Sequence, residues 1–173
     1  MGKPKQNIDG IWVIRAGKNG DAHNFFMNNN LLVLKDDQMG NLGKIDPTRE
    51  AFYHAYRKIH PNATKTGSAG IGGKYYRFVH EVKIGDFILY PCLKDKQIYV
   101  GKIKGCYVYA STADLECYHQ RSVQWLYYFP KSALTEFAKR ELGAARTFFK
   151  LKSHYQEVMR LINGGQAESF LVR

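Results

Sequence analysis

Three apolar runs of only four residues place the tightest constraint on the fold of this chain. They are Ile11–Ile14, Leu31–Leu34 and Phe87–Tyr90, and each lies next to residues that favour turns, such as glycine, asparagine or aspartate. Runs this short with such neighbours are typical of buried strands, whereas helices need longer periodic segments. We therefore expect a sheet made of short strands in the interior of the protein.

The second half of the chain is richer in strand patterns. Residues Gln97–Lys104 alternate between apolar and polar side chains, and the alternation slips at Gly101. This slip predicts a β-bulge. The charged tripeptide Lys94–Lys96 precedes the segment and predicts a hairpin tip, while Arg121–Phe129 has the pattern of another strand.

Helices are expected between and after these strands, and the resulting class is α+β. The expected helices are 21–28, 46–60, 75–82, 130–142 and 153–162, and the glycine-containing segment 62–73 is expected to be a loop. About five to six short strands flanked by helices favour a small curved sheet or barrel. The expected organisation is an N-terminal extension (1–10), one folded domain (11–162) and a linker or tail (163–173).

The charge of the chain points to a polyanionic partner. Among 173 residues, 26 Lys and Arg face 15 Asp and Glu, which gives a net charge of +11. Apolar residues make up 45% of the chain, too many for a disordered basic tail. The charge therefore belongs to a folded body, for which nucleic acid is the default partner and an inert basic surface is the alternative.

Localisation, metals and cofactors follow from simple counts. No uncharged run approaches the roughly 18 apolar residues that a membrane span requires. The three cysteines do not form a disulfide framework, and no apolar signal segment follows the N-terminus, so we expect a cytoplasmic protein. Cys117 and His119 lack the second close ligand pair of a zinc site, and neither a metal nor a cofactor is expected.

Catalytic motifs give one weak lead. The sequence contains no nucleophile elbow, Walker loop, dinucleotide fingerprint or zinc-peptidase motif. Glu81 and Lys83 have the E-x-K spacing of metal-dependent nucleases, although E-x-K is a common tripeptide and a partner aspartate is not identified. We expect a binding domain with no catalytic residue of its own, and keep a nuclease as an alternative.

Aromatic and basic residues are interleaved, a composition that suits nucleic acid because cations meet phosphates and rings stack on bases. Tyr107 and Tyr109 share one face of a strand, which is either a stacking platform or an amphipathic face beneath a helix. The candidate contacts to a nucleic-acid backbone are Lys74, Arg77, Lys102, Lys104, Arg121, Lys139, Arg140, Arg146 and Lys150.

Four segments together resemble a known class of domain. They are Ile11–Gly17, Tyr76–Asp86, Tyr99–Tyr109 and His119–Trp125, and the part around Phe78–Asp86 is the most specific. Their order resembles the N-terminal domains of Mrr- and McrB-type restriction proteins, which look like EVE-type members of the PUA superfamily and are relatives of YTH domains. The resemblance spans residues 11–162. It implies a PUA-like β-barrel that flips a DNA base, often a methylated one, into an aromatic pocket, while catalysis and NTP hydrolysis lie in other domains.

The resemblance also implies which residues form the base pocket. The loop after the first strand supplies Arg15, Ala16 and Gly17, and the end of the second strand supplies Leu34, Lys35 and Asp36. Many relatives carry a tryptophan after that second strand, where this chain has Leu34-Lys-Asp-Asp37. Either another ring replaces it or the pocket is more polar, with Asp36 accepting a hydrogen bond from an exocyclic amino group. The candidate rings are Trp12, Tyr75, Tyr107 and Tyr109.

The sequence thus predicts a reader of modified DNA, with methylated DNA as the expected form, in a restriction or defence system. Its expected partners are DNA and an AAA+ GTPase or ATPase, or a nuclease domain or subunit, of the same system, and no membrane. An RNA-binding PUA-like module is a further alternative.

Overall fold

The computed structural model describes residues 10–164 and 168–169, and within these residues the chain forms one mixed sheet with helices around it. The strands are β1 (Ile11–Ile14), β2 (Leu31–Leu34), β3 (Phe87–Pro91), β4 (Gln97–Ile103), β5 (Val108–Tyr109), β6 (His119–Pro130), β7 (Phe148–Lys150) and β8 (Glu168–Ser169). The helices are α1 (His23–Asn28), α2 (Arg49–Ile59), α3 (Lys65–Tyr76), α4 (Glu136–Leu142) and α5 (Tyr155–Asn163).

The sheet follows the order β2-β6-β4-β3-β1-β7, and the short strands β5 and β8 both pair with β6. Strands β1 and β3 run parallel, and the remaining described pairs are antiparallel. The six-strand path curls into a half-barrel flanked by the helices. The expected α+β class, with a small curved sheet and peripheral helices, is therefore confirmed.

A bulge between β4 and β6 lies where the sequence predicts it. Val100 pairs with Tyr127 and Gly101 pairs with Trp125, so Leu126 is the extra residue of the long strand β6. A Cβ atom at Gly101 would lie 2.8 Å from the Gln124 carbonyl oxygen, too close for any other residue type. The bulge therefore depends on glycine at this position.

The curled sheet separates two apolar cores. One core lies beneath α1, α2 and α3 and includes Trp12, Tyr75, Phe78 and Trp125. The other lies beneath α4 and α5 and includes Phe129 of β6. Strand β6 contributes to both cores because its side chains alternate along twelve residues and the bulge lies in its middle.

The prediction of a loop at residues 62–73 is wrong, because α3 occupies most of that segment. The Thr64 side chain accepts a hydrogen bond from the Gly67 amide and so caps the helix. A Cβ at Gly72 would lie 3.0 Å from the Tyr53 nitrogen and 3.1 Å from the Phe52 carbonyl oxygen in α2. Glycine costs about 1 kcal/mol in a helix interior, and here it permits two helix backbones to approach closely.

Two helix starts also differ from expectation. The helix expected from Pro130 begins only at Glu136, because β6 extends to Pro130 and Thr135 supplies the cap of α4. The helix expected from Asp46 and Pro47 begins at Arg49, capped by Thr48. In both cases a threonine side chain, rather than the proline, sets the first turn.

The ends of the chain were expected to be an extension and a tail. Residues 1–9, 165–167 and 170–173 lie outside the described residues, while Glu168 and Ser169 pair with Tyr128 and Tyr127 of β6. In the described part of the chain, no helix has the length and apolarity needed to cross a membrane.

Substitution of Gly72 tests the close approach of α2 and α3. We expect Gly72→Val to lower the free energy of unfolding by about 1–3 kcal/mol, because the added side chain must push against backbone atoms of α2. Helix propensity alone predicts the opposite sign, since valine is a better helix former than glycine. Urea unfolding measures the change, with Ala69→Val, at an exposed position of the same helix, as control. A Gly72→Val protein more stable than the wild type would contradict the packing described here.

Candidate nucleic-acid interface

A pocket of about 190 Å³ lies between the segments that follow β1 and β2. Arg15, Gly17, Leu34 and Lys35, four of the residues expected to form a base pocket, line it. The remaining lining residues are Lys18, Ala22, Val33, Asp37, Lys74, Cys117 and Thr147. The fold thus brings together two loops that are separated by about twenty residues in the sequence.

The loop after β1 owes its shape to backbone hydrogen bonds. The Arg15 amide donates to the Thr147 carbonyl at 2.8 Å, and the Ala22 amide donates to the Ala16 carbonyl at 2.9 Å. Gly17 has a φ of +80°, a conformation that favours glycine. Ala16 is buried and fixes the start of α1 without lining the pocket.

Asp36 braces the loop after β2 and does not line the pocket. Its carboxylate accepts hydrogen bonds from the Met39 amide at 2.8 Å and the Gly40 amide at 3.3 Å. Its Oδ1 also lies 3.1 Å from Nε2 of the buried His119. These contacts leave the neighbouring Asp37 as the carboxylate that lines the pocket. The role expected for Asp36, as acceptor for a base, fits the position of Asp37 instead.

Asp37 is held by two residues of α3. The Tyr75 hydroxyl lies 2.8 Å from Asp37 Oδ2, and the Lys74 ammonium group lies 3.5 Å from the same oxygen. Lys74 also lies over the ring of Tyr75, 4.2 Å from its centroid. Burial lowers the pKa of Lys74, and the charge of Asp37 opposes that shift. Lys74 thus carries its positive charge into a largely desolvated position at the pocket.

His119, the first residue of β6, connects Asp36 in the loop after β2 to Tyr107. Its Nδ1 lies 2.8 Å from the Tyr107 hydroxyl, which accepts a hydrogen bond from the Leu42 amide at 3.1 Å. Burial lowers the pKa of His119, with Asp36 opposing the shift, and burial raises the pKa of Tyr107 to about 12. A neutral His119 that donates from Nε2 to Asp36 and accepts at Nδ1 from Tyr107 satisfies every contact.

The aromatic residues proposed for the pocket lie elsewhere. Tyr75, Tyr107 and Tyr109 surround His119, with ring centroids 5.2–5.8 Å from the imidazole. Trp12 is buried in the core, where it stacks on Phe148 at 5.2 Å and donates its indole N–H to Asp86. Among the described residues, the walls of the pocket are aliphatic and polar. This arrangement corresponds to the more polar of the two pockets that the sequence left open.

The expected phosphate contacts divide into two groups. Lys74, Arg77 and Arg146 line a groove that adjoins the pocket. The others lie outside both cavities: Lys102 on β4, Lys104 directly after it, Arg121 on β6, Lys139 and Arg140 on α4, and Lys150 on β7. Lys139 forms an ion pair with Glu136, and the exposed Arg140 lies over Phe137.

Arg121 requires a correction, because it is inside the protein and does not meet solvent. Its side chain donates to the carbonyl oxygens of Gly105, Phe78 and Val82 at 2.9–3.0 Å. Phe78 lies in the π-helical turn Arg77–Glu81, Val82 directly follows that turn, and Gly105 lies in the loop after β4. Arg121 is only 4% exposed and therefore has a structural role, not a role in contacting phosphate.

Sequence reasoning missed Lys18 and Asp37 as pocket residues. Both directly follow residues that it did select, Gly17 and Asp36, so the signal lay in the adjacent position of each loop. Glu81, the carboxylate of the nuclease alternative, forms an ion pair with Arg49. Within the described residues, no group of three or more histidine, cysteine or carboxylate side chains is placed to hold a metal ion.

The buried His119 predicts a specific pH dependence. In the unfolded chain His119 takes up a proton near its ordinary pKa of 6.5, whereas in the folded protein burial moves its pKa lower. The unfolded state then binds more protons, so the free energy of unfolding falls as the pH drops below 6.5. The charged groups nearest the imidazole are Asp36, Asp37 and Lys74.

Urea unfolding at pH 7 and pH 5 measures this dependence. We expect His119→Asn to lose less stability between the two pH values than the wild type does. The exposed His54 on α2 supplies the control, and His54→Asn should keep the slope of the wild type. An unchanged slope in His119→Asn would show that this imidazole does not titrate as described.

Arg121 gives a second prediction. We expect Arg121→Met to lower the free energy of unfolding by about 3 kcal/mol, because three carbonyl groups lose a charged donor. Arg140→Met, at an exposed position, should change it by less than about 0.5 kcal/mol. If Arg121→Met remained as stable as the wild type, the structural role of this guanidinium would be refuted.

Comparison with known proteins identifies a family. No curated protein matches the chain. A family model described as a domain of unknown function, DUF8426, matches residues 12–152. This range covers most of the chain and contains every residue that lines the pocket and the groove. The chain therefore belongs to the DUF8426 family.

Proposed function

We propose that this protein is a nucleic-acid-binding domain that accepts an extruded base of modified DNA in the pocket between the segments that follow β1 and β2. The observation that carries the proposal is the convergence of four cations, Arg15, Lys18, Lys35 and Lys74, on one pocket that also holds a carboxylate. Cationic side chains bind the phosphate backbone of a nucleic acid without regard to its sequence. A carboxylate and a pocket wall of defined shape, in contrast, distinguish one base from another.

The charged side chains at the mouth of the pocket favour a polyanionic ligand. Lys18 and Lys35 are exposed at its mouth, and Lys35 lies 3.7 Å from Asp21, a distance at which a surface ion pair is weak. Exposed lysines of this kind exchange a weak partner for a phosphate and release the counterions of the nucleic acid. The mouth of the pocket thus suits backbone binding.

The interior of the pocket supports base recognition. Asp37 offers a carboxylate oxygen whose geometry is set by Tyr75 and Lys74. A carboxylate accepts a hydrogen bond from the exocyclic amino group of cytosine, and aliphatic side chains contact a methyl group. Val33 and Leu34 provide such a wall. A methylated cytosine therefore matches the chemistry of the pocket.

The proposed role is binding rather than catalysis. The resemblance to the N-terminal domains of restriction proteins supports a setting in a defence system, in which an AAA+ GTPase or ATPase, or a nuclease, supplies the chemistry. The three cysteines are not disulfide-bonded, and we propose a cytoplasmic setting, where thiols stay reduced.

Fluorescence anisotropy with short oligonucleotides tests the proposal. The panel contains duplex DNA with and without 5-methylcytosine, and RNA of the same sequence, each at two salt concentrations. We expect the methylated DNA to bind most tightly. Lys35→Gln should weaken binding to every oligonucleotide and reduce the slope of log affinity against log salt by about one. Lys131→Gln removes the same charge at an exposed site beyond the end of β6 and should leave the slope unchanged.

Asp37→Asn isolates the recognition step. We expect it to weaken binding of the methylated DNA by roughly 5- to 150-fold, corresponding to about 1–3 kcal/mol, because the carboxylate contacts the exocyclic amino group of the cytosine and Val33 and Leu34 contact its methyl group. Equal binding of all oligonucleotides by the wild type would contradict base recognition. Tighter binding of the RNA would favour the RNA-binding alternative.

A further inference from the structure

A groove of about 440 Å³ continues from the pocket and shares Lys74 and Thr147 with it. It lies between α3 and the segment that leads into β7. Its charged side chains are Lys74, Arg77 and Arg146, and no carboxylate is among the described residues that line it. The groove is thus a concave surface whose charged side chains are all positive. The adjoining pocket, in contrast, holds positive and negative side chains.

Arg77 is incompletely paired in this groove. One of its terminal nitrogens donates to the Phe148 carbonyl at 3.3 Å. Its Nε is buried and has no hydrogen-bond partner among the described residues. A buried guanidinium nitrogen without an acceptor is costly, and native proteins usually supply one. Arg77 as a whole is half-buried and lines the groove, so its guanidinium group is accessible to a ligand there, although the buried Nε is not.

The charges around Arg77 also favour an anion. Burial lowers the pKa of Arg77, and the neighbouring charges of Arg49 and Arg146 add to that shift. Glu81 acts in the opposite direction, but it is already paired with Arg49. Like charges held close together destabilise one another, and an anion bound between them relieves the repulsion.

Two glycines of α3 leave room for this arrangement. A Cβ at Gly73 would lie 3.1 Å from the nearest terminal nitrogen of Arg77, so the absence of a side chain lets the guanidinium pack against the helix. A Cβ at Gly70 would meet no atom within 4 Å, so this residue borders open space in the groove. The glycine content of α3 therefore both permits helix packing and keeps the groove open.

We propose that the groove is a phosphate-binding subsite, formed by Lys74, Arg77 and Arg146, that holds the phosphate next to the nucleotide in the pocket. The assignment to a phosphodiester of DNA rests on the proposed function. The assignment of the groove to a phosphate group does not depend on the proposed function and is argued from the groove residues alone. Guanidinium groups bind phosphate oxygens through several parallel hydrogen bonds, and three converging cations match an anion with several equivalent oxygens.

Thermal unfolding with inorganic pyrophosphate tests the subsite without nucleic acid. We expect pyrophosphate to raise the Tm of the wild type above its value in sodium chloride of equal ionic strength, because a ligand that binds only the folded state stabilises it. Gly70→Glu places a carboxylate in the groove and should abolish the rise, as should Arg146→Gln. The matched controls are Ala69→Glu, one residue earlier in α3, and Arg160→Gln at an exposed position of α5, and both should keep it. A wild type without the rise, or a Gly70→Glu protein that keeps it, would overturn the subsite.

Oligonucleotide binding by the same variants distinguishes the source of the phosphate. If the groove holds a phosphodiester, Gly70→Glu should bind DNA at least tenfold more weakly than Ala69→Glu does. Arg146→Gln should reduce the salt slope by about one. A pyrophosphate response in a wild type that binds no oligonucleotide would support a phosphate subsite for small ligands and contradict the proposed function. Unchanged DNA affinity in both groove variants would remove the phosphodiester assignment while the proposed function stood.

Discussion

The pocket depends on the hydrogen bonds that hold the loop after β2, and the Tyr75 hydroxyl is at their centre. This hydroxyl lies 2.6 Å from the Lys35 carbonyl oxygen and 2.8 Å from Asp37 Oδ2, and it accepts from the Asp37 amide at 3.2 Å. Asp36 secures the same loop from the other side through His119. A loop fixed from two sides presents its carboxylate and ammonium groups in one geometry, which is what selective binding requires.

This arrangement follows from the packing of α3. Tyr75 lies on α3, which packs closely on α2, and the backbone approach at Gly72 allows that packing. The carbonyl groups where the helical segment ends are then satisfied by Arg121 from β6. The glycines of α3, the buried guanidinium and the tyrosine hydroxyl thus form one structural unit that supports both cavities.

The sequence predicted the strands better than the site. Short apolar runs and the slip at Gly101 depend on local patterns, and the structure has those strands and that bulge. Helix α3 was not predictable from propensity, because tertiary contact with α2 overrides the cost of its glycines. Arg121 has the alternation of a strand residue, and only the three-dimensional structure shows that its side chain points to buried carbonyls. Asp36 and Asp37 are adjacent and chemically identical, so the sequence alone could not assign the pocket to Asp37.

Binding of nucleic acid at the pocket and the adjoining groove would change the amide chemical shifts of the residues there. Titration of the isotope-labelled protein with methylated duplex DNA measures these shifts residue by residue. We expect the largest changes at Gly17, Lys35, Asp37 and Lys74, with smaller changes along the groove. Largest changes on the opposite layer, at α4 and α5, or a spectrum left unchanged by saturating DNA, would contradict binding at this site.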